Sequence, residues 1–375
     1  MRPLALYLPQ FHSFPENDEW WGKGYTEWTA VRRAKPLYAG HQQPRVPADG
    51  EYYDLSDETG RTLKAQAELA KKYGIFGFVF YHYYFTGHRL MERPAEILLS
   101  HPEIDTRYCF CWANETWTRA WYGRKEDVLI RQEYGKEDEW RAHFEYLLPF
   151  FTDKRYIKQD GRPMLCIYRT YDITELGRMR ECFDRWAKET GLPGIYLVGG
   201  RTAQGRDERG ICDAYYYFEP GYSLKQGFKA SGKLLYNIST AARQGYNRIF
   251  HKEVLERRIP IGRIYEAILS REYGKNEYPG IIARWDNTPR RGYKGLVYTG
   301  ASPEKFKDTL CKLNEKIPAD SYVFINAWNE WGEGAMLEAD TCEGYAYLEA
   351  VNACARQDCH GRGQSMIPSE GIKQT

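Results

Sequence analysis

Short apolar runs alternate along this chain with longer amphipathic stretches. That is the pattern of repeated strand–helix units around a parallel sheet. Eight runs predict strands: Leu4–Leu8, Ile75–Tyr81, Tyr108–Trp112, Met164–Tyr168, Ile195–Val198, Ala214–Phe218, Ile281–Trp285 and Tyr322–Ala327. Most are continuous rather than alternating, as strands covered on both faces are. Between them, Glu58–Tyr73, Asp138–Phe151, Ile173–Thr190, Ile261–Tyr273 and Pro303–Ile317 carry apolar residues at helical spacing. In the first of these Leu63, Ala67 and Ala70 share a face, and Gly74 is placed to cap the end. The interleaving predicts an α/β fold, a (β/α)8 TIM barrel with long βα loops over residues 1–355, and a polar tail over 356–375. No Gly-x-Gly-x-x-Gly follows the first strand, which disfavours an open nucleotide-binding sheet. Two long segments, Pro9–Asp57 and Glu219–Pro260, read as loops, which in barrels extend the catalytic face.

The bulk numbers narrow this. A chain of 375 residues fits one barrel with insertions. The net charge of +2, from 53 basic and 51 acidic residues, gives no reason to expect nucleic acid or an anionic membrane as partner. Basic runs such as Pro289-Arg-Arg-Gly292 read as solvated loop. No apolar stretch reaches spanning length, and Met1–Gln10 reads as the first strand rather than a signal peptide. Nine cysteines, an odd number with no Cys-x-x-Cys pair, read as buried free thiols. Neither Cys109-Phe-Cys111 nor Cys359-His360 reads as a metal site, so no cofactor is expected. Together these features predict a cytoplasmic protein; they leave its oligomeric state open.

Aromatics are unusual: 31 Tyr, 11 Trp and 16 Phe. Many stand beside polar residues at predicted strand ends. Sugars have apolar faces and polar edges, so carbohydrate clefts combine aromatic platforms with hydrogen-bonding groups. Catalytic groups of a barrel come from the C-terminal ends of its strands. Candidate platforms there are Tyr7, Tyr81, Trp112, Trp117 and Trp285. Candidate polar contacts are His82, Asn114, Glu219, Asp286 and Asn287. Strand eight ends in Trp328-Asn329-Glu330-Trp331-Gly332-Glu333. Glu330 and Glu333 fit glycosidic-bond chemistry, in which two carboxyl groups share acid and base or nucleophile roles. Two other readings stay open: acids at the start of a capped helix, and a Glu115–Glu330 pairing, since Asn114-Glu115 repeats Asn329-Glu330. Asp340 reads as fixing the strand-eight loop.

Longer motifs are more specific. Asn329-Glu-Trp-Gly-Glu-Gly334 with Leu337-Glu338 resembles the strand-eight motif of glycoside hydrolase family 99, the endo-acting α-mannosidases. Glu19-Trp-Trp-Gly-Lys-Gly-Tyr-Thr-Glu-Trp28, His41-Gln-Gln-Pro44 and Trp112-Ala-Asn-Glu-Thr-Trp-Thr-Arg119 resemble the family 99-like WbsX group of bacterial surface-polysaccharide clusters. The resemblance runs from about Leu4 to about Tyr347. It implies a retaining, endo-acting hydrolase of α-linked, O-antigen-like polysaccharide, with mannose- or rhamnose-type sugars as candidates. It also implies a 1,2-anhydro sugar intermediate, with Glu330 as base on the 2-hydroxyl and Glu333 as acid. Gly332 stands where the mannosidases commonly carry His, which removes a subsite contact and leaves the sugar open. Glycosyl transfer or transglycosylation in O-antigen or capsule assembly, and non-catalytic glycan binding, are the alternatives.

Overall fold

All eight predicted strands form, and they run parallel around a barrel. The computed structural model describes residues 1–118, 127–205, 207, 209–227 and 230–361, with the side chains of 230–233 and 356–361 left aside. The strands are β1 (Arg2–Tyr7), β2 (Gly77–Phe85), β3 (Tyr108–Trp112), β4 (Arg162–Ile167), β5 (Tyr196–Arg201), β6 (Ala214–Tyr217), β7 (Glu277–Tyr278 continuing as Gly280–Ile282) and β8 (Tyr322–Asn326). β1 pairs with both β2 and β8, and the order around the ring follows the chain. β7 closes it. Its first half pairs with β6 and its second half with β8. Pro279 separates the halves, and a proline has no N–H to give to a ladder.

Helices cover the outside: α1 (Arg61–Lys72), α2 (Arg93–Ser100), α3 (Glu137–Thr152), α4 (Leu176–Glu189), α5 (Ala230–Phe250), α6 (Ile261–Leu269), α7 (Pro303–Glu315) and α8 (Ala346–Gly361). α1 ends as its sequence predicts. Gly74 takes φ +78°, and the amides of Gly74 and Ile75 return to the carbonyls of Lys71 and Ala70. α8 carries regular structure past residue 355, and the rest of the polar tail, 362–375, lies outside the described residues. Strand boundaries move by a few residues. β2 runs on to Phe85 because Tyr83–Phe85 pairs with His88–Leu90 as a hairpin.

The loop reading of Glu219–Pro260 is corrected. Half of that segment is α5, a helix of 21 residues. Its apolar residues Leu234, Leu235, Ile238, Ile249 and Phe250 are exposed. Apolar positions turned away from the core give no core-facing stripe of the kind that marks a helix docked on a barrel. Pro9–Asp57 is irregular apart from two short helices, Pro15–Trp21 and Glu27–Arg33.

Aromatics fill the barrel interior. Tyr7 stacks on Phe80 with ring centres 4.2 Å apart, and Tyr216 stacks on Phe324 at 4.6 Å. Below the barrel, Arg155 is buried and staples α2 to the start of β3. Its guanidinium donates to the carbonyls of Leu98, His101 and Ile104 at 2.8, 2.7 and 3.1 Å. It pairs with Asp153 at 2.7 Å, and Asp153 also accepts from the Tyr108 hydroxyl.

The free-thiol reading is corrected at one pair. Cys311 and Cys354 form a disulfide that joins α7 to α8. Those helices pack side by side, so two cysteines 43 residues apart meet. The bond removes one argument for a reducing compartment. Cys109, Cys111, Cys166, Cys182 and Cys212 are buried free thiols. The side chains of Cys359 and His360 lie outside the description. Among the described residues, no helix is long and apolar enough to cross a membrane, and no group of His, Cys, Asp or Glu could hold a metal ion.

Candidate active site

At the C-terminal end of the barrel every strand contributes to one cleft of about 500 Å³. Gln10 follows β1, and Tyr81 and Tyr83 come from β2. Glu115 and Trp117 follow β3, Tyr168 follows β4, Gln204 follows β5 and Phe218 follows β6. Trp285 and Arg290 follow β7; Glu330 and Glu333 follow β8. The aromatics are braced. Trp117 meets the edge of Tyr83 at 5.2 Å, and Tyr168 meets Phe218 at 4.8 Å. The indole Nε1 of Trp285 has no hydrogen-bond partner among the described residues.

The loop after β8 is tightly closed. The Trp328 amide donates to Leu6 O at 2.7 Å, which ties the loop to β1. Asn329 receives the Leu8 amide at 2.7 Å and donates to the Leu8 carbonyl at 2.9 Å. The chain then makes a three-residue 3-10 turn, Trp331–Glu333, and leaves it through Gly334 at φ +60°. Any side chain at Gly334 would press on the backbone of Asp286, whose amide donates to Glu333 O at 2.7 Å. No α-helix begins here, and Glu330, at the start of the 3-10 turn, makes no side-chain cap hydrogen bond, so capping does not account for the two glutamates. The turn puts Trp328 and Trp331 into the core and aims Glu330 and Glu333 at the cleft.

Both carboxyl groups meet one guanidinium. Arg290 Nη2 lies 2.6 Å from Glu330 Oε1, and Nη1 lies 3.1 Å from Glu333 Oε1. A third carboxylate, Glu27, takes Nε at 3.0 Å and Nη2 at 2.9 Å on the same oxygen. The Glu330 carboxyl is pushed up to about 8, chiefly by burial, with Arg290 opposing the rise and Glu333 and Glu27 adding to it. Glu333 is also raised by burial, against the pull of Arg290. Burial opposes the Arg290 cation, but the three carboxyls outweigh it and hold its proton more firmly than usual. The sequence reading missed this cluster. Glu27 lies inside the tryptophan-rich motif but had no role there, and Arg290 was assigned to solvated loop.

Glu115 also faces the cleft. It pairs with Arg169 at 3.1 Å, and burial raises its carboxyl pKa. Tyr81, Trp117 and Trp285, the candidate platforms, line the cleft. Other candidates are corrected, because their side chains are spent inside the protein. Tyr7 is fully buried and donates to Gln66. His82 shares a contact with His143, Nε2 to Nε2 at 2.9 Å, on the outer face of β2. Trp112 donates to Tyr84 O, and Asn114 clamps the backbone of Arg169. Glu219 is buried against Arg271 and Ser223. Asp286 accepts from His41, Gln43 and Thr288, and Asn287 accepts the Leu296 amide. Trp328 and Trp331 are core, and Asn329 is the latch to β1. Asp340 holds the loop as expected: it accepts Arg45 and Arg284 and two backbone amides. The end of the third tryptophan motif, Arg119, lies outside the described residues.

Glu338 sits behind the turn. It accepts from Trp331 Nε1 at 2.7 Å, Gln66 Nε2 at 2.7 Å and Tyr53 OH at 2.8 Å. Burial nevertheless pushes its carboxyl up to about 7. The folded state therefore holds this proton more tightly than the unfolded chain. The stability it contributes is complete below the ordinary carboxylate range and is lost as pH rises through about 7. The neutral buried pair His82 and His143, both lowered by burial, acts oppositely below the ordinary histidine value. The informative quantity is thus a difference. The Tm of the natural protein minus that of Glu338→Gln is expected to shrink from about pH 5 to about pH 8. A constant difference in calorimetry would contradict the burial of this proton.

A family model described as "Glycosyltransferase WbsX" matches residues 3–351. A Xanthomonas campestris pv. campestris protein described as uncharacterized protein WxcX is 39% identical over 354 residues, which is 93% of this chain and 48% of that protein. The chain thus spans about half the length of that relative. Among solved structures, a family 99 endo-α-mannosidase from Bacteroides thetaiotaomicron superposes with a TM-score of 0.53 at 13% identity, covering 95% of this chain and 97% of the other. A structure described as a glycoside hydrolase-like protein gives 0.58 at 14% identity, over 94% and 93% of the two chains. At such identities the superpositions establish the shared barrel fold.

Proposed function

The chain belongs to the WbsX family, and we propose that it is a retaining glycoside hydrolase acting on α-linked bacterial surface polysaccharide. The observation that supports this most is the pair Glu330 and Glu333, held on one guanidinium at the floor of an aromatic cleft. Burial raises both carboxyl groups, and the route requires their shared proton to rest on Glu333, leaving Glu330, although raised to about 8, to ionise against Arg290.

In the proposed route Glu330 removes the proton of the sugar's 2-hydroxyl. That oxygen attacks C1 as the C1–O glycosidic bond breaks, and Glu333 protonates the departing oxygen. The product in the site is a 1,2-anhydro sugar. Glu333 then takes a proton from water, which attacks C1; the epoxide C1–O2 bond opens and Glu330 returns its proton to O2. The sum is one water consumed and configuration retained. The route needs a free 2-hydroxyl trans to the leaving oxygen, which α-linked manno- and rhamno-configured sugars present. Trp117 and Tyr81 would stack on sugar faces, and Trp285 Nε1 would donate to a hydroxyl.

Incubation with a panel of α-linked surface polysaccharides should release oligosaccharides detectable by mass spectrometry. Analogues methylated at O2 should bind without being cleaved, and cleavage of such an analogue would exclude the anhydro route. The family's own description favours one second reading, glycosyl transfer. Release of nucleotide from a sugar nucleotide, with no oligosaccharide from polysaccharide, would replace hydrolysis with transfer. Binding without turnover of either would leave a glycan-binding protein.

A further inference from the structure

We infer that Arg290, locked by Glu27 in the space left by Gly332, is a positioning residue that aims both glutamates and confines one proton to the pair. The inference rests on the acid–base reading of Glu330 and Glu333 and deepens it.

The geometry carries it. Three loops meet at one cation. Glu27 opens the short helix Glu27–Arg33 after β1, Arg290 lies in the one-turn helix Thr288–Arg291 after β7, and the glutamates follow β8. Guanidinium presents five N–H donors in a rigid plane. Glu27 Oε2 takes Nε and Nη2 together, which fixes that plane from one side. Nη1 then meets Glu333, and Nη2 also meets Glu330. The cation's side chain is 11% exposed, so its field on both carboxyls is little screened by water.

Gly332 supplies the space. A Cβ built there would overlap Glu27 Oε2 and lie 2.6 Å from Arg290 Nε. The missing side chain is therefore the condition for Glu27 and Arg290 to pack against the turn that carries both glutamates.

The electrostatic consequence follows. Three carboxyl groups face the Arg290 guanidinium, with Arg291 a weaker second cation on Glu333 and the Tyr81 and Tyr83 phenols beside Glu330, so full ionisation still leaves excess negative charge in a buried site. Full protonation leaves the cation with only Glu27. One proton shared by Glu330 and Glu333 is the intermediate state, and it is the state an acid–base pair needs. Lysine at 290 would offer one point charge that cannot serve three carboxyls in these directions.

The test is to titrate the carboxyl groups of the unliganded protein by isotope-edited infrared spectroscopy, with bands assigned by their loss in Glu330→Gln and Glu333→Gln. In Arg290→Gln the pair should titrate higher by about one pH unit or more, because a close opposite charge has been removed. Glu27→Gln should move it the opposite way, downward, because a like charge has been removed and the guanidinium is left to the pair. The rising limb of the kcat–pH profile should follow, with kcat falling more than KM rises. Arg290→Lys should restore part of the titration shift but not kcat. If Arg290→Gln fails to fold, the downward shift in Glu27→Gln and the partial upward shift in Arg290→Lys read the same coupling. Unmoved carboxyl titrations in these folded variants overturn the inference, whatever the activity. Shifted titrations in a protein that cleaves no glycan sustain the inference and overturn the hydrolase reading instead.

Discussion

Glu333→Gln is expected to lower kcat on a cleaved glycan by about 10²–10⁴-fold, the usual contribution of a positioned general acid or base. Glutamine keeps the size of the side chain and one accepting oxygen but can neither deliver nor take a proton. Glu330→Gln should cost a similar factor. The pair shares Arg290, so the double variant should be little worse than either single one. Glu115→Gln is the discriminating control. Glu115 is neutralised by Arg169 rather than by the shared cation, and should lose far less. Steady-state and single-turnover rates on the same oligosaccharide make the comparison. A near-normal rate for Glu333→Gln, with collapse of Glu115→Gln, would transfer the acid role to Glu115.

The second large effect lies at the opposite end of the barrel and concerns stability. Arg155→Met should destabilise the fold by about 3–5 kcal/mol, because it strands a buried Asp153 and removes the donor from three buried carbonyls. A domain has only about 5–15 kcal/mol to lose. The natural protein and the variant would be compared by urea denaturation. Activity of whatever remains folded should be unchanged per molecule, since Arg155 lies at the barrel floor. A loss below about 1 kcal/mol would mean the staple is replaced by water.

The barrel was legible because its strands are covered on both faces and so read as unbroken apolar runs, as in Tyr108–Trp112. The pair Glu330 and Glu333 was legible because strand ends are where barrels place reactive groups. The surroundings were not. Residues three apart at a strand end fall on the same side when the chain makes a tight turn, and that is how Trp328 and Trp331 both went to the core while Glu330 and Glu333 both reached the cleft. Asn114 and Asn329 look like sugar contacts by composition, yet each is consumed by a backbone clamp. Arg290 could not be read at all. Its burial depends on Glu27, 263 residues away in the chain, and a short run of arginines carries no mark of what it will meet.

The clearance at Gly332 has a consequence for descent. A substitution there cannot be inherited alone while Arg290 and Glu27 stay in place, since even one methyl group would collide with them. Glycine, glutamate and arginine at these three positions should therefore appear and disappear together across relatives. A lineage that regains a side chain at this turn should have surrendered the ion pair first and found another way to keep its two glutamates apart in charge. Such a triplet, read from bare sequence, would sort the family into members that build the site around a cation and members that build it around whatever fills the gap.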